Sequence, residues 1–482
     1  MKTMLNKKYI TYISICCIAF MYTACIPTLQ KKKENTAVPG SYKASEDTKD
    51  STNTADIKWK DFFKDPNLVS LIDTALKNNQ ELNIIMQEIN IAQNEVRSRK
   101  GKYLPFVNLF GGASVDKQGK YTRLGAVDDK LNFKPGQSNP DPLTDFLLSA
   151  NVSWQIDIWK QLRNSKKAAV YKYLSTIEGK NFMVTNLIAE IVYSYYDLLA
   201  LDNQLEILKA NIEIQQNALK IVTLQKAAGA VTELAVRRFQ AEVNKNQSRQ
   251  YYIEQEIIEA QNRINFLAGR FPQVAERNST GFIKMALDST FVGIPSQLLE
   301  NRPDIKQAEL ELSATKLDVK VAKANFYPTL NIMGGIGLES FDPKDIVVTP
   351  ESVFFNLAGG LMQPLVNRNA IKAEYLSANS RQIKAVYNYE RTILKAFTEV
   401  SNQLSNISNL SNSYDMKMQQ VDALNQSVSI AITLFKSARA DYMEVLLTQR
   451  DALESKMELI ETKQKQMNAI VKMYQVLGGG WK

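Results

Sequence analysis

Few residues in this chain could carry out chemistry. Its 482 residues include no histidine, so the commonest general base and the commonest metal ligand are both missing. The only three cysteines, Cys16, Cys17 and Cys25, crowd the N-terminus and cannot form a disulfide framework. No G-x-S-x-G elbow, Walker loop or metal-ligand cluster appears, which makes a secreted enzyme the weakest reading. The residue best placed for covalent chemistry is Cys25. Lys2, Lys7 and Lys8 precede a mostly apolar run of thirteen residues from Tyr9 to Met21, and Tyr22, Thr23 and Ala24 lead into the cysteine. This is a signal-peptide layout. At about 1.5 Å per residue the run reaches only ~20 Å, short of a ~30 Å hydrocarbon core.

Small residues followed by Cys resemble a bacterial lipobox, in which cleavage leaves the cysteine as a lipid-bearing N-terminus. Residues 1–24 are thus expected to be a signal peptide and Cys25 a lipidation site, the alternative being an ordinary signal with an incidental cysteine. No other cofactor and no metal is expected. Residues 25–57, rich in Lys, Thr, Ser, Asp and Asn, read as a polar tether that is extended or disordered. The formal net charge of +9 falls to +6 without the three signal lysines. With no nucleic-acid-binding signature beside it, this charge gives no reason to expect DNA or RNA as a partner.

The elements that follow are duplicated. "KGKYLPFVNLFGG" from Lys100 and "KANFYPTLNIMGG" from Lys323 share Lys, Pro, Asn and a Gly pair in the same places. In each copy a helical segment, Leu68 to Arg99 or Pro303 to Ala324, leads to a proline, Pro105 or Pro328, that ends the helix and opens a strand. Period-two alternation then marks four strands. Leu148, Ala150, Val152, Trp154, Ile156 and Ile158 face one way, and Ser149, Asn151, Ser153, Gln155 and Asp157 the other. Leu330, Ile332, Ile336 and Leu338, then Val353, Phe355, Leu357 and Leu361, repeat the pattern, and Val107, Leu109, Ala113 and Val115 follow it less cleanly. Two hairpins, at about 105–158 and 328–366, have strands near the length that spans a membrane at a tilt. Four strands cannot close a barrel, and an open edge in lipid leaves backbone groups without partners, so several chains must contribute. A soluble sandwich packed on helices is the competing reading of the pattern.

Each hairpin precedes a very long helical stretch. No Pro occurs between Pro142 and Pro272, and neither Pro nor Gly from Leu365 to Leu477. Heptad positions from Val184 to Val222 are apolar at ten of twelve places, with Ser194 and Gln215 the exceptions, which is a coiled-coil seam. A helix from about Asn164 to Ala227 would extend roughly 96 Å. Gly229 is the best first turning point. "GAVTELAVRRFQ" from Gly229 aligns with "ARADYMEVLLTQ" from Ala438 at an offset of 209, against 223 at the prolines. The fourteen extra residues fit the loop between Asp116 and Asp145, which is expected to be exposed.

These landmarks resemble the TolC-like outer membrane efflux proteins, in particular the lipoprotein branch typified by OprM that serves resistance-nodulation-division pumps. The most specific stretch is "GIPSQLLENRPDI" from Gly293. It is joined by "WKDFFKDPNLVSLIDTAL", "SWQIDIWKQLRNSKKAA", "QPLVNR" and the terminal "LGGGW". The resemblance implies an α+β membrane protein, a homotrimer whose twelve-stranded β-barrel, four strands per chain, continues into an antiparallel α-helical coiled-coil tunnel. It divides the chain into a first repeat at 58–268 with a helical hairpin at about 162–268, an equatorial linker at 269–301, and a second repeat at 302–482 with a helical hairpin at about 369–477. A belt would gather Trp59 to Asn79, the linker and the C-terminus. The implied function is a passive export duct in the cell outer membrane, with the helices in the periplasm. It would pass drugs, metal ions or other small molecules delivered by an inner-membrane pump and a periplasmic adaptor. Met443, Leu447 and Arg450 fall where relatives narrow the periplasmic mouth, and Gly229, Leu234, Ala438 and Tyr442 where the adaptor docks. Relatives commonly carry an acid where Leu447 stands, so an apolar constriction is expected here. The same Met443 and Leu447 could instead pack in the coiled-coil seam. A periplasmic lipid-anchored coiled-coil adaptor is the alternative function, but it would not need four spanning strands.

Overall fold

The structure, a computed structural model, describes residues 26–42, 53–285, 292–364, 368–437 and 439–482. The signal segment, Cys25 and Ala438 lie outside the described residues. In chain order the helices and strands are α1 (Trp59–Phe62), α2 (Pro66–Asn78), α3 (Gln80–Tyr103), β1 (Phe106–Asp116), α4 (Arg123–Asp128), β2 (Asn132–Lys134), β3 (Gln137–Ser138), β4 (Leu143–Ile156), α5 (Gln161–Ala227), α6 (Glu233–Leu267), α7 (Gln297–Asn301), α8 (Pro303–Ala324), β5 (Thr329–Ser340), β6 (Val353–Met362), α9 (Asn369–Lys436) and α10 (Tyr442–Val476). Two units divide the chain. The first holds described residues 26–33, 91–173 and 310–386, and the second holds 34–90, 174–309 and 387–482.

The first unit is built on an antiparallel sheet of order β1-β4-β5-β6. Register makes the alternation of each strand add up. Leu109 lies opposite Ala150, Ala150 opposite Ile336, and Ile336 opposite Phe355, so one row of apolar side chains crosses all four strands on one face. The next row, Asn108, Asn151, Gly335 and Asn356, is on the other face. The apolar face is bare, with Leu109 84%, Phe355 82% and Leu357 80% exposed, as expected of a surface that meets lipid rather than a core. The connection between β1 and β4, read from sequence as an open loop, contains α4 and the small β2–β3 hairpin. Thr122 caps α4, its side chain accepting a hydrogen bond from the Gly125 amide at 3.2 Å.

The strand-to-helix corner after β4 is held by Asp157, whose carboxylate accepts from the Leu162 and Arg163 amides at 2.9 Å each, satisfying donors that a helix start leaves free. Arg163 closes the corner by donating to the same carboxylate at 3.1 Å and to the Asp157 carbonyl at 2.8 Å.

In the second unit, α1, α2 and segments of α5, α6 and α10 share one core with Ala275 and Phe282 of the linker. Pro66 opens α2 behind an Asp65 cap, and Leu68, Leu71, Ile72 and Ala75 form its buried stripe. The belt segments implied by the resemblance do meet here, where the Phe62 ring stacks on Tyr474 at 4.3 Å. The two polar seam positions are both buried. Ser194 donates to the Glu190 carbonyl at 2.8 Å, and Gln215 accepts from Asn246 at 2.8 Å.

Two expectations need correction. The helix read as continuous from Leu68 to Arg99 is broken at Asn79, which has extended geometry (φ −60°, ψ 127°). Its side-chain oxygen accepts from the Leu82 amide at 2.9 Å, capping α3, while its amide group donates to the Leu267 carbonyl at 2.9 Å. The described part of the polar tether is irregular apart from a short 3-10 turn at Thr54–Asp56 and a bridge from Asn53 to Val292, yet it is docked. In the first unit Ile26 and Leu29 pack on Ala322, Phe326, Tyr375 and Ala378. In the second unit Tyr42 is 7% exposed and stacks on Phe397 at 5.4 Å. A few apolar side chains in a polar stretch suffice to seat it.

Candidate functional site

The sequence-derived site residues that the structure describes lie at the two helical turns of the second unit. At the first turn Gly229 has φ +76°, the Gly229 amide donates to the Lys226 carbonyl at 3.0 Å, and the Ala230 amide donates to the Gln225 carbonyl at 2.8 Å. That pair of bonds is a Schellman end, and glycine suits its left-handed residue. At the second turn the Arg439 amide reaches the Leu434 carbonyl at 2.9 Å, the same bond displaced by 209 residues. Thr232 and Asp441, also 209 apart, occupy the N-cap positions of α6 and α10.

The two tips pack on each other. Val222, Ala235, Phe239 and Leu446 form a small buried cluster, flanked by Tyr442 and Met443 among others. Phe239 and Tyr442 are 6.4 Å apart between ring centres, and Arg238 donates to the Met443 sulfur at 3.3 Å. Met443, Leu447 and Arg450 follow at four- and three-residue steps on α10, hence on neighbouring turns of one face. Met443 joins the seam, whereas Leu447 is 39% exposed and outside the cluster, and Arg450 pairs with Asp451 at 3.1 Å. Leu234 is 57% exposed and Gly229 is also open to solvent. Beside them Lys226 and Arg237 both pair with Glu233. The hydrogen bond from Lys226 is the main cause holding the Glu233 carboxyl below the usual range. Sequence reasoning missed Arg238, although the 209-residue offset sets it against Leu447.

The duplication reaches further than the turns. Gly269 and Gly478, 209 apart, both have positive φ, +66° and +93°. A Cβ at Gly269 would lie 2.3 Å from the Asn78 carbonyl oxygen, and one at Gly478 would lie 2.6 Å from that of Asn301. Asn79 and Arg302, which follow those carbonyls, make matching bonds. Asn79 donates to Leu267 O, and Arg302 donates to Val476 O at 3.1 Å. Arg302 adds a bidentate pair with Asp304, at 2.9 and 2.7 Å, and a bond to Glu399 at 2.7 Å. Burial pulls the pKa of this guanidinium down, but the two carboxylates outweigh it and raise it. The final glycines pass against Asn301 and the Tyr474 ring, and the Trp481 indole donates to the Asn301 carbonyl at 3.2 Å.

Among the described residues no helix is long and apolar enough to cross a membrane, and no group of three acids or thiols could hold a metal. The polar clusters brace helices, and the apolar sheet face is a large exposed surface.

The outer membrane efflux protein family model matches residues 71–270 and 294–479, one segment per repeat, leaving out most of the linker. The pyoverdine export outer membrane protein OpmQ of Pseudomonas aeruginosa is 25% identical over 478 residues, 99% of this chain and 98% of that protein. The solvent efflux pump outer membrane protein SrpC of Pseudomonas putida is 29% identical over 432 residues, 89% of each chain. In fold the chain is similar to the open state of the Neisseria gonorrhoeae MtrE outer membrane channel, with a TM-score of 0.81 at 20% identity over 95% of this chain and 99% of that one. A bare four-stranded wall, two helical hairpins from one template and a match through both repeats have a single explanation: the chain belongs to the outer membrane efflux protein family and is an export channel component.

Proposed function

We propose that three copies of this chain close a twelve-stranded barrel in the outer membrane and that the assembly is a passive exit duct, fed by an inner-membrane resistance-nodulation-division pump through a periplasmic adaptor. The observation that carries this reading is the sheet itself. One face is apolar and exposed, and β1 and β6 each pair on one side only, so both edges carry unpaired backbone groups. In lipid each such group costs several kcal/mol, and pairing β1 of one copy with β6 of the next removes the cost without a new element. Lipidation at Cys25 fits the docked segment behind it. Ile26 packs near Phe326, three residues before β5, so acyl chains would begin close to the membrane wall.

At the helical tips Met443 and Leu447 form an apolar constriction, with Arg450 one turn on, and Gly229, Leu234, Ala438 and Tyr442 receive the adaptor. The exposure of Leu447 and Leu234 supports these roles, and the seam packing of Met443 makes it the hinge side of the constriction. Pyoverdine and solvents, in the names of the two relatives, share little chemistry. Cargo is therefore selected by the pump.

Planar-bilayer recordings test the proposal. The purified chain is expected to run as a heat-modifiable oligomer and to insert as a channel of low resting conductance, and Met443→Ser with Leu447→Ser should raise the closed-state leak. Absence of both oligomer and channel would refute the duct, while an unchanged leak would remove only the gate.

A further inference from the structure

We propose that the helix-side ends of the four strands form a cationic collar that binds the anionic headgroups of phospholipids in the adjoining leaflet. This rests on reading the sheet as a membrane wall. The eleven residues on the helix side of each strand are 95–105, 157–167, 318–328 and 363–373. Together they hold twelve Lys and Arg against three acids, an excess of nine. That equals the formal net charge of the whole chain, +9, so the rest of the sequence is balanced. The three acids are already engaged within the first unit: Glu95 with Arg99 at 2.6 Å, Asp157 with Arg163 at 3.1 Å and Asp318 with Lys172 at 2.9 Å. At the opposite ends the connections 117–142 and 341–352 hold six basic and six acidic residues, and the four strands contain no Lys or Arg.

The charge is available to a partner. Lys100, Lys160, Lys167, Lys320, Lys323 and Lys372 are all exposed. At the same level Trp159 stacks on Tyr327 at 4.7 Å and donates its indole N–H to the Pro328 carbonyl at 2.8 Å while remaining 45% exposed. An anchored, half-exposed aromatic pair at the end of an apolar wall is the signature of a headgroup boundary. Lysine stems can lie along the apolar rim while their ammonium groups reach phosphates. A balanced far end and a basic near end match an anionic surface on one side only. A collar spread over four segments fits that surface better than a single small anion.

The test reconstitutes the full-length protein in mixed phosphatidylethanolamine and phosphatidylglycerol vesicles, re-extracts it in mild detergent and counts retained lipids by mass spectrometry. Wild type should hold phosphatidylglycerol several-fold above its share, less so in high salt. The variant Lys160→Asn, Lys166→Gln, Lys167→Gln should lose about an order of magnitude of that retention. Asn suits position 160 because its φ is +58°. A second variant on the other hairpin, Lys320→Gln, Lys323→Gln, Lys372→Gln, should do the same, and heat-modifiable migration checks assembly of both. Lys117→Gln, Lys120→Gln, Arg123→Gln at the far end should change nothing. Retention in vesicle proportion by wild type, or undiminished retention by both assembled collar variants, would overturn the inference. So would full displacement by millimolar inorganic phosphate, which would assign the site to a free anion. Failure of wild type to insert at all would overturn the membrane-wall reading, and the collar with it.

Discussion

Replacing Arg302 with Met tests whether one buried cation holds the second unit together where its helices converge. The guanidinium is 4% exposed and joins three elements: Asp304 at the start of α8, Glu399 on α9, and the last carbonyl of α10. The side chains of Asp304 and Glu399 are themselves only 16% and 27% exposed. Removing the cation therefore leaves the Val476 carbonyl without its donor and two poorly solvated carboxylates with weaker partners, the Ile305 amide at 3.0 Å for Asp304 and Lys395 at 3.7 Å for Glu399. Breaking a buried ion pair from one side costs about 3–5 kcal/mol. At roughly 2–4 °C per kcal/mol, thermal melts should fall by something on the order of 6–20 °C. Arg302→Lys keeps the charge but cannot fork toward Asp304 while reaching α9 and α10, so it should recover only part of the loss. Adding Glu399→Gln to Arg302→Met should restore some stability by removing one stranded charge, a coupling that a double-mutant cycle reads directly. Melts of the assembled protein followed by tryptophan fluorescence, with Trp59 and Trp481 in the same unit, supply the measurement. A shift below about 2 °C for Arg302→Met would refute the reasoning, because well-packed methionine would then be as good as the cation.

Two further outcomes follow. Gly478→Ala should destabilise by at least ~1–2 kcal/mol, since a Cβ there meets backbone at 2.6 Å and the φ is left-handed, whereas Gly359→Ala, with nothing within 4 Å, should be nearly silent in the same melts. Burial raises the pKa of Asp197 above the ordinary carboxylate range, the Gln464 hydrogen bond only partly opposing it. Its stabilising contribution is then present in acid and lost as pH rises through the folded-state value. Asp197→Asn keeps an acceptor for Gln464, so it should melt higher than wild type at neutral pH, with the gap closing toward acid; a constant gap across pH would contradict this.

Most of the wall was legible in the sequence because alternation has only two phases. Once Leu148, Ala150 and Val152 were assigned to one face, pairing could only align them with Ile336 and Phe355 or against them, and the observed register aligns them. The helical turns were legible for a similar reason, the repeat supplying each landmark twice. The break at Asn79 was not, because its cause is a carbonyl of Leu267 nearly two hundred residues away. Arg302 was visible as part of a phrase, but its equivalence to Asn79 appears only when both are seen to donate to matched helix ends. The docking of Ile26, Leu29 and Tyr42 was hidden by composition, since three apolar side chains among many polar ones do not alter a window average. At the tips, the family resemblance put Met443 and Leu447 together, and only the neighbouring hairpin separates the one that packs from the one that is exposed.

The unpaired edges of β1 and β6 have a genetic consequence. Each edge must be completed by a neighbour's opposite edge, so a subunit with one damaged edge strand does not simply drop out. Its sound edge still recruits normal partners, and its damaged edge then leaves their ring unsealed. Alleles that disrupt β1 or β6 should thus behave as dominant in cells that also carry an intact copy, while alleles that destroy folding altogether should be recessive. Within this one gene, inheritance pattern would report whether a lesion lies on a seam between subunits or inside one of them.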